Sequence, residues 1–217
     1  MKAAEDAILR PEQAAYLERM SPPRDALLTR MEARARERRY PISDPEVGVF
    51  LEITARARCP RFVVELGTNI GYGAILLARG AGPDARVVTA ETSPDLCDEA
   101  RGFIAEAGLA SRIEVRRTTA IELLSSLTEP VDLAYVDCVK EEYPEYLRLL
   151  VPLLSERGML VVDNVLWGGH VARAEIPDKE RARTVVLREF NRALLLDTRL
   201  RSVLLPLGDG VAYAVRC

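Results

Sequence analysis

The chain has 217 residues, 48% hydrophobic and 29% charged, with a net charge of −3. That length supports one sizeable core and is short for two, and the acidic balance gives no global reason to expect nucleic acid as a partner. No apolar run approaches the roughly 18 residues that span a bilayer, and MKAAEDAILRPEQ at the N-terminus has no apolar signal core, so no membrane partner and a cytoplasmic location are expected.

The first forty residues are charged and helical in pattern, with a break at Ser21-Pro22-Pro23. Residues 25–38 read as a helix, with Ala26, Leu27, Leu28, Met31 and Ala35 among charges. Arginine is dense over 34–39, which makes either a solvated helix face or a surface for phosphates. Residues 40–45 form a loop, in which Ser43 or Asp44 can cap the next helix with Pro45 in its first turn. From there strands and helices alternate. Residues 61–66 (RFVVEL) are a buried strand, 71–79 a helix and 86–90 the second strand. Ser93 caps a helix that runs to 107, with Pro94 at its first position and Gly108 ending it. A third strand covers 112–116, a short helix 120–127, a fourth strand 131–136 (VDLAYV), a helix 142–154 and a fifth strand 158–162. A loop follows over 164–177, where Gly168-Gly169 suggests mobility. Residues 179–196 are the last long helix, and 200–205 and 210–215 are two strands joined at Leu207-Gly208-Asp209.

Repeated strand–helix units with apolar strands predict an α/β fold, a doubly wound parallel sheet with helices on both faces. Ligands of such sheets bind beyond the carboxyl ends of the strands. The residues expected there are Glu65 and Gly67, Glu91, Asp137, and Asp163 with Asn164. Acids end four of the five strands, while the third ends in Arg116 and Arg117.

The first strand runs into Gly67-Thr68-Asn69-Ile70-Gly71-Tyr72-Gly73, a GxxxGxG spacing. Its glycines let the chain turn sharply and let a ligand approach the backbone. Asn69 stands where a dinucleotide fingerprint needs its second glycine. Glu91, 24 positions after Gly67, can accept the two hydroxyls of a ribose. Loop and acid together suggest an adenosine-type cofactor without separating NAD from S-adenosylmethionine (SAM). Asp137, Asp163 and Asn164 offer two carboxylates and an amide oxygen, a hard donor set suited to Mg²⁺ or Mn²⁺. Zinc is not expected, since Cys59, Cys97, Cys138 and Cys217 are scattered and His170 is the only histidine. Lys140, three residues after Asp137, reads either as a base beside a bound cation or as a solvated lysine. Trp167 reads either as core or as a wall for a flat ring.

In order and spacing, PISDPEVG (41–48), VVELGTNIGYG (63–73), VVTAE (87–91), YVDCVKEEYPEY (135–146), VVDNVLWGG (161–169) and LPLGDG (205–210) resemble segments of one family. These are the bacterial, metal-dependent class I O-methyltransferases, relatives of catechol and caffeoyl-CoA O-methyltransferases, and the likeness covers about 40–216. The resemblance implies a Rossmann-like seven-stranded sheet whose last strand is antiparallel, in one domain with residues 1–40 as a helical extension and 41–217 as the catalytic core. It implies that Glu65, Gly67, Tyr72 and Gly73 hold the methionine end of SAM with Ser43 nearby, and that Glu91 binds the ribose. Ala120 and Tyr146 join the cofactor set, and Asp137 touches both cofactor and metal. Asp163 and Asn164 complete the metal set, Lys140 is the general base, and Lys140, Asn164 and Trp167 face the substrate.

The implied reaction is methyl transfer to a hydroxyl of a catechol-like phenol in a homodimeric enzyme. Three positions depart from the family pattern. Gly73 stands for the usual serine, Thr118 for a glycine, and Asp137-Cys138-Val139-Lys140 for DADK. Two alternatives remain: a tRNA 5-hydroxyuridine O-methyltransferase, suggested by Pro41-Ile42-Ser43 and the arginines at 34–39, and a SAM-binding protein without turnover.

Overall fold

Seven strands form one sheet, in the order 113–117, 86–91, 62–66, 131–136, 154–162, 211–216 and 200–205. The structure, a computed structural model, describes residues 10–217; the first nine residues of the expected helical extension lie outside the described residues. Two helices precede the alternating part, α1 (Pro11–Met20) and α2 (Ala26–Arg38), and α3 (Pro45–Arg58) follows. The alternating part is β1 (Phe62–Leu66), α4 (Tyr72–Ala81), β2 (Arg86–Glu91), α5 (Pro94–Glu106), β3 (Ile113–Arg117), α6 (Ala120–Ser126), β4 (Val131–Val136), α7 (Tyr143–Leu153) and β5 (Leu154–Val162). The chain ends with α8 (Asp178–Leu196), β6 (Leu200–Leu205) and β7 (Val211–Arg216). β7 runs antiparallel to both β5 and β6, as the terminal pair of strands and the family resemblance imply.

Local chemistry sets the helix starts. The Asp25 carboxylate accepts from Leu28 N at 2.9 Å, and the Ser93 hydroxyl accepts from Leu96 N at 3.4 Å. Thr119 and Glu122 form a reciprocal capping box at α6. Asp44 rather than Ser43 is the N-cap of α3, and its side chain makes no capping bond.

Successive strand residues point to opposite faces. Val63 and Leu133 join Leu27, Met31, Leu51, Ile75 and Ile104 beneath α2 to α5. Val64 and Ala134 join Leu123, Leu150, Leu187 and Phe190 beneath α6 to α8. Each fully buried Val, Leu, Ile or Phe among them contributes about 1.5–3 kcal/mol.

From β1 the chain steps outward through β2 to β3, then returns to place β4 on the other side of β1 and steps out the other way. The crevice beyond the carboxyl ends of β1 and β4 is therefore the place where such sheets bind ligands.

One boundary differs from expectation. β5 begins at Leu154, inside the predicted helix 142–154 and well before residue 158. Leu154 already pairs with Val131, and the register then slips so that Met159 faces Leu133. Arg157, at φ 58°, makes the bulge. The Arg58 guanidinium braces it by donating to Arg157 O at 3.2 Å and Ser155 Oγ at 3.3 Å.

Candidate active site

The ladder carries the predicted acids to one rim. Leu66 pairs with both Ala90 and Val136, and Val136 pairs with Val162, so Gly67, Glu91, Asp137 and Asp163 follow the ends of four adjacent strands. Asp137 N donates to Leu66 O and Asp163 N to Val136 O, each at 2.9 Å, which fixes the backbone of both acids. Gly67 is required here. At φ 100° it takes the backbone where side chains are disfavoured, and a Cβ would run into the carbonyl oxygen of Asp137.

Glu65 is 1% exposed. The Thr89 hydroxyl donates to its Oε2 at 2.6 Å, and the Thr68 hydroxyl lies 2.6 Å from that of Thr89. Burial, opposed by the Thr89 bond and reinforced by Asp137 and Glu91, pushes its carboxyl up from near 4.5 to about 8. Its Oε1 occupies the space beside Gly73, where a Cβ would collide with it. The departure at Gly73 therefore has a packing reason: the niche is filled by the Glu65 carboxyl. Thr118 also has a local role, since its hydroxyl donates to Glu122 Oε2 at 2.8 Å and adds to the α6 cap.

Glu91 is aimed by the backbone. Its Oε2 accepts from Asn69 N at 3.0 Å, and its Oε1 from Thr92 N and Ser93 N at 2.9 Å each. Oε2 keeps a second lone pair for a ligand hydroxyl, while both of those on Oε1 are taken by the backbone. The first-turn N–H groups of α4 face the same loop and have no partner within the helix. The Tyr72 hydroxyl is directed away from the strand ends and donates to Glu32 Oε1 on α2 at 2.9 Å. Ala120 is buried as the first residue of α6. Tyr146 is buried on α7, with its hydroxyl donating to Glu142 Oε2 at 2.5 Å.

Asp137 and Lys140 form a close pair. Nζ donates to Oδ1 at 2.7 Å, and the two side chains are only 16% and 14% exposed. Asp163 is 2% exposed. Its Oδ1 accepts from Asn164 N at 2.7 Å and its Oδ2 from the Tyr135 hydroxyl at 3.1 Å. Desolvation, then the neighbouring Asp137 carboxylate, raises the Asp163 carboxyl to about 7. Asn164 turns the chain at φ 59°, a left-handed conformation that asparagine tolerates.

Among the described residues no three His, Cys, Asp or Glu side chains converge on one point. The available set is therefore two carboxylates and the Asn164 amide, with further positions left for water or substrate oxygens, as Mg²⁺ prefers. A desolvated Asp163 carboxyl whose proton affinity is raised by burial and by the neighbouring Asp137 carboxylate is a site that a divalent cation relieves, and the donor chemistry fits one.

The segment after β5 is tethered, against the mobility its glycines suggested. Gly168 N donates to Asp209 Oδ1 at 2.7 Å, Asn191 Nδ2 to Val165 O at 2.8 Å, and Arg188 Nε to Val171 O at 2.9 Å. A short 3₁₀ segment, Trp167–Ala172, occupies part of the predicted loop. Trp167 is half-buried, its indole N–H donating to Glu180 Oε2 at 2.9 Å and its ring lying 5.5 Å from the Arg183 guanidinium. Arg183 reaches back to Glu141 at 2.7 Å, beside Lys140.

Sequence reasoning did not single out Tyr135, Tyr143, Thr68 or Thr89. Tyr135 shares the face of Asp137 by strand alternation, and that periodicity was the signal available for it. Tyr143 donates to Asp163 O at 3.0 Å from a position on α7 that the sequence alone does not aim. Of the dense arginines, Arg34 is committed to Glu99 on α5 at 2.6 Å. No helix among the described residues is long and apolar enough to cross a membrane.

Residues 26–217 match the sequence model of the family described as O-methyltransferase. A catechol O-methyltransferase from Mycobacterium tuberculosis is 36% identical over 170 residues, 77% of either chain. An O-methyltransferase from Bacillus cereus, in complex with SAH, superposes with a TM-score of 0.82 at 29% identity, covering 94% of this chain and 96% of that one. The O-methyltransferase TomG from Streptomyces achromogenes, involved in tomaymycin synthesis and in complex with SAM, superposes with a TM-score of 0.81 at 31% identity, covering 93% and 94%.

Proposed function

The chain belongs to the O-methyltransferase family, and from that premise we propose that it transfers the methyl group of SAM to a hydroxyl of a catechol-like small aromatic, assisted by Mg²⁺ or Mn²⁺. The observation that carries this reading is the juxtaposition of Asp137, Asp163, Asn164 and Lys140 beside the 67–71 loop and Glu91 at one rim.

Each residue then has a chemical task. Glu91 accepts from the ribose through Oε2, and the first-turn N–H groups of α4 take the carboxylate of the methionine moiety, as a helix N-terminus does. Ser43 lines the same end from the loop before α3, Tyr72 contributes the backbone N–H of the first residue of α4, and Ala120 and Tyr146 close the adenosine side. Glu65, buried near Asp137 and Glu91, holds its proton in the ligand-free chain, and the positive charge of a sulfonium and an ammonium beside it would favour its ionised form. SAM brings an electrophilic methyl group on sulfur. Asp137, Asp163 and Asn164 would hold the cation, whose charge lowers the pKa of a nearby hydroxyl. Lys140 Nζ, which donates to Asp137 in the cation-free chain, would in its deprotonated form take the proton of the acceptor hydroxyl. Trp167, fixed by Glu180, offers a flat wall to the acceptor ring. Most of the rate enhancement is positioning of oxygen, methyl carbon and sulfur in line.

Acceptor discrimination tests this reading. The purified chain with SAM and Mg²⁺ is expected to form SAH with catechol and not with phenol or guaiacol, which lack a free vicinal pair of hydroxyls. Equal turnover of phenol and catechol contradicts the two-oxygen acceptor.

A further inference from the structure

Tyr135 is 1% exposed and sits on β4 two residues before Asp137. Its hydroxyl lies 2.8 Å from Ser43 Oγ and donates at 3.1 Å to Asp163 Oδ2. Ser43, 8% exposed, comes from the loop before α3, so three separate parts of the chain meet at this oxygen. A phenol has a single proton and so can donate only one hydrogen bond. With Asp163 ionised, the single phenolic proton goes to Asp163, and Ser43 must donate to Tyr135. A directed relay results, Ser43 to Tyr135 to Asp163. Asn164 N holds the other carboxylate oxygen at 2.7 Å. Each oxygen of Asp163 is thereby fixed by one donor and keeps a lone pair for something else.

We propose that Tyr135 is a positioning residue for the divalent cation, holding the Asp163 carboxylate in its ligating orientation through one hydrogen bond and anchored in turn by Ser43. This rests on the metal reading above. A carboxylate that ligates a metal depends on the donors behind it, because they fix its rotation and stabilise its charged form. A phenylalanine fills the same core volume, so the aromatic ring alone does not explain the oxygen. Its placement between Ser43 and Asp163 does.

The test is Mn²⁺ binding to the full chain without substrate, by electron paramagnetic resonance and calorimetry, for wild type, Tyr135→Phe and Ser43→Ala. Tyr135→Phe is expected to weaken Mn²⁺ by about 10- to 100-fold, the usual cost of losing a partner of a metal ligand. SAM affinity, measured in parallel, should stay within about twofold, since the phenol oxygen acts on Asp163. Mn²⁺ affinity in Tyr135→Phe equal to wild type overturns the proposal and leaves the metal reading intact. Absence of Mn²⁺ binding in the wild type overturns both. Should Tyr135→Phe fail to fold, Ser43→Ala decides, with weaker Mn²⁺ binding supporting the relay and unchanged binding refuting it.

Discussion

Strand β4 carries an acid near each end, and the two have opposite surroundings. At the amino rim, Asp132 accepts from Arg61 N at 2.8 Å, Phe62 N at 3.1 Å, Ser155 Oγ at 2.7 Å and the Arg58 guanidinium at 3.2 Å. Burial alone would raise its carboxyl, but these bonds and the Arg58 charge hold it below its ordinary value. At the carboxyl rim, Asp137 has Lys140 and stands near Asp163 and Glu65, which are pushed up to about 7 and about 8. One rim satisfies its charge with fixed donors. The other gathers like charges in a desolvated corner, and that unrelieved potential is what a cationic ligand set can use. The amino rim is built for stability and the carboxyl rim for binding.

Substitutions at the two rims should therefore separate activity from stability. The largest effect is expected at Lys140. Loss of a general base costs about 10²–10⁴ in rate, so Lys140→Ala should lower kcat within that range in an assay of SAH formation. Its urea midpoint should stay near wild type, and full activity in the variant would remove the base role. Asp132→Ala should do the reverse. It leaves four half-buried or exposed donors without their acceptor and should destabilise the chain by about 1–3 kcal/mol, read from urea unfolding, with kcat unchanged below the transition. A large fall in kcat for folded Asp132→Ala would erase the distinction between the rims.

Glu65 gives a smaller effect that depends on pH. Its folded value, about 8, lies above the ordinary value near 4.5, so the native state holds a proton that the unfolded state releases earlier. Stability from this group is fully present below pH 4.5 and is lost as pH rises through about 8. Glu65→Gln removes that loss. The SAM-free variant should be more stable than wild type at pH 9, on the order of 1–2 kcal/mol, and close to it at low pH. It should also bind SAM more weakly. A wild-type chain whose urea midpoint does not fall between pH 6 and pH 9 more than that of Glu65→Gln contradicts the buried, protonated carboxyl. A still smaller change is expected from Gly73→Ser. Its added Cβ must displace Glu65 Oε1, so SAM affinity should fall by a few-fold. Affinity equal to wild type would show that the carboxyl moves aside freely.

The carboxyl rim was largely legible in the sequence and the amino rim was not. The strand ends followed from apolar runs, and Glu65, Glu91, Asp137 and Asp163 each lie within one residue of the carboxyl end of β1, β2, β4 or β5, so a parallel sheet brings them to one rim. Asp132 looked like any polar residue at a strand start, because its partners Arg58 and Ser155 are set by tertiary packing. The early start of β5 was hidden by Ser155-Glu156-Arg157, a polar stretch that reads as loop but pairs across a bulge. Gly168-Gly169 spoke for mobility, and only the fold shows Asp209, Asn191 and Arg188 holding that segment. Tyr135 escaped notice because a tyrosine in an apolar strand reads as core, which it is, while its hydroxyl serves Asp163.

The central claim is that the carboxyl rim holds a divalent cation that takes part in methyl transfer. It is tested most directly by following SAH formation from SAM and catechol while the chain is stripped with EDTA, dialysed, and titrated with Mg²⁺ or Mn²⁺. Activity should vanish on chelation and return with added metal in wild type, and should not return in Asp163→Ala at the same metal concentrations. Methyl transfer that persists after complete chelation would contradict the claim.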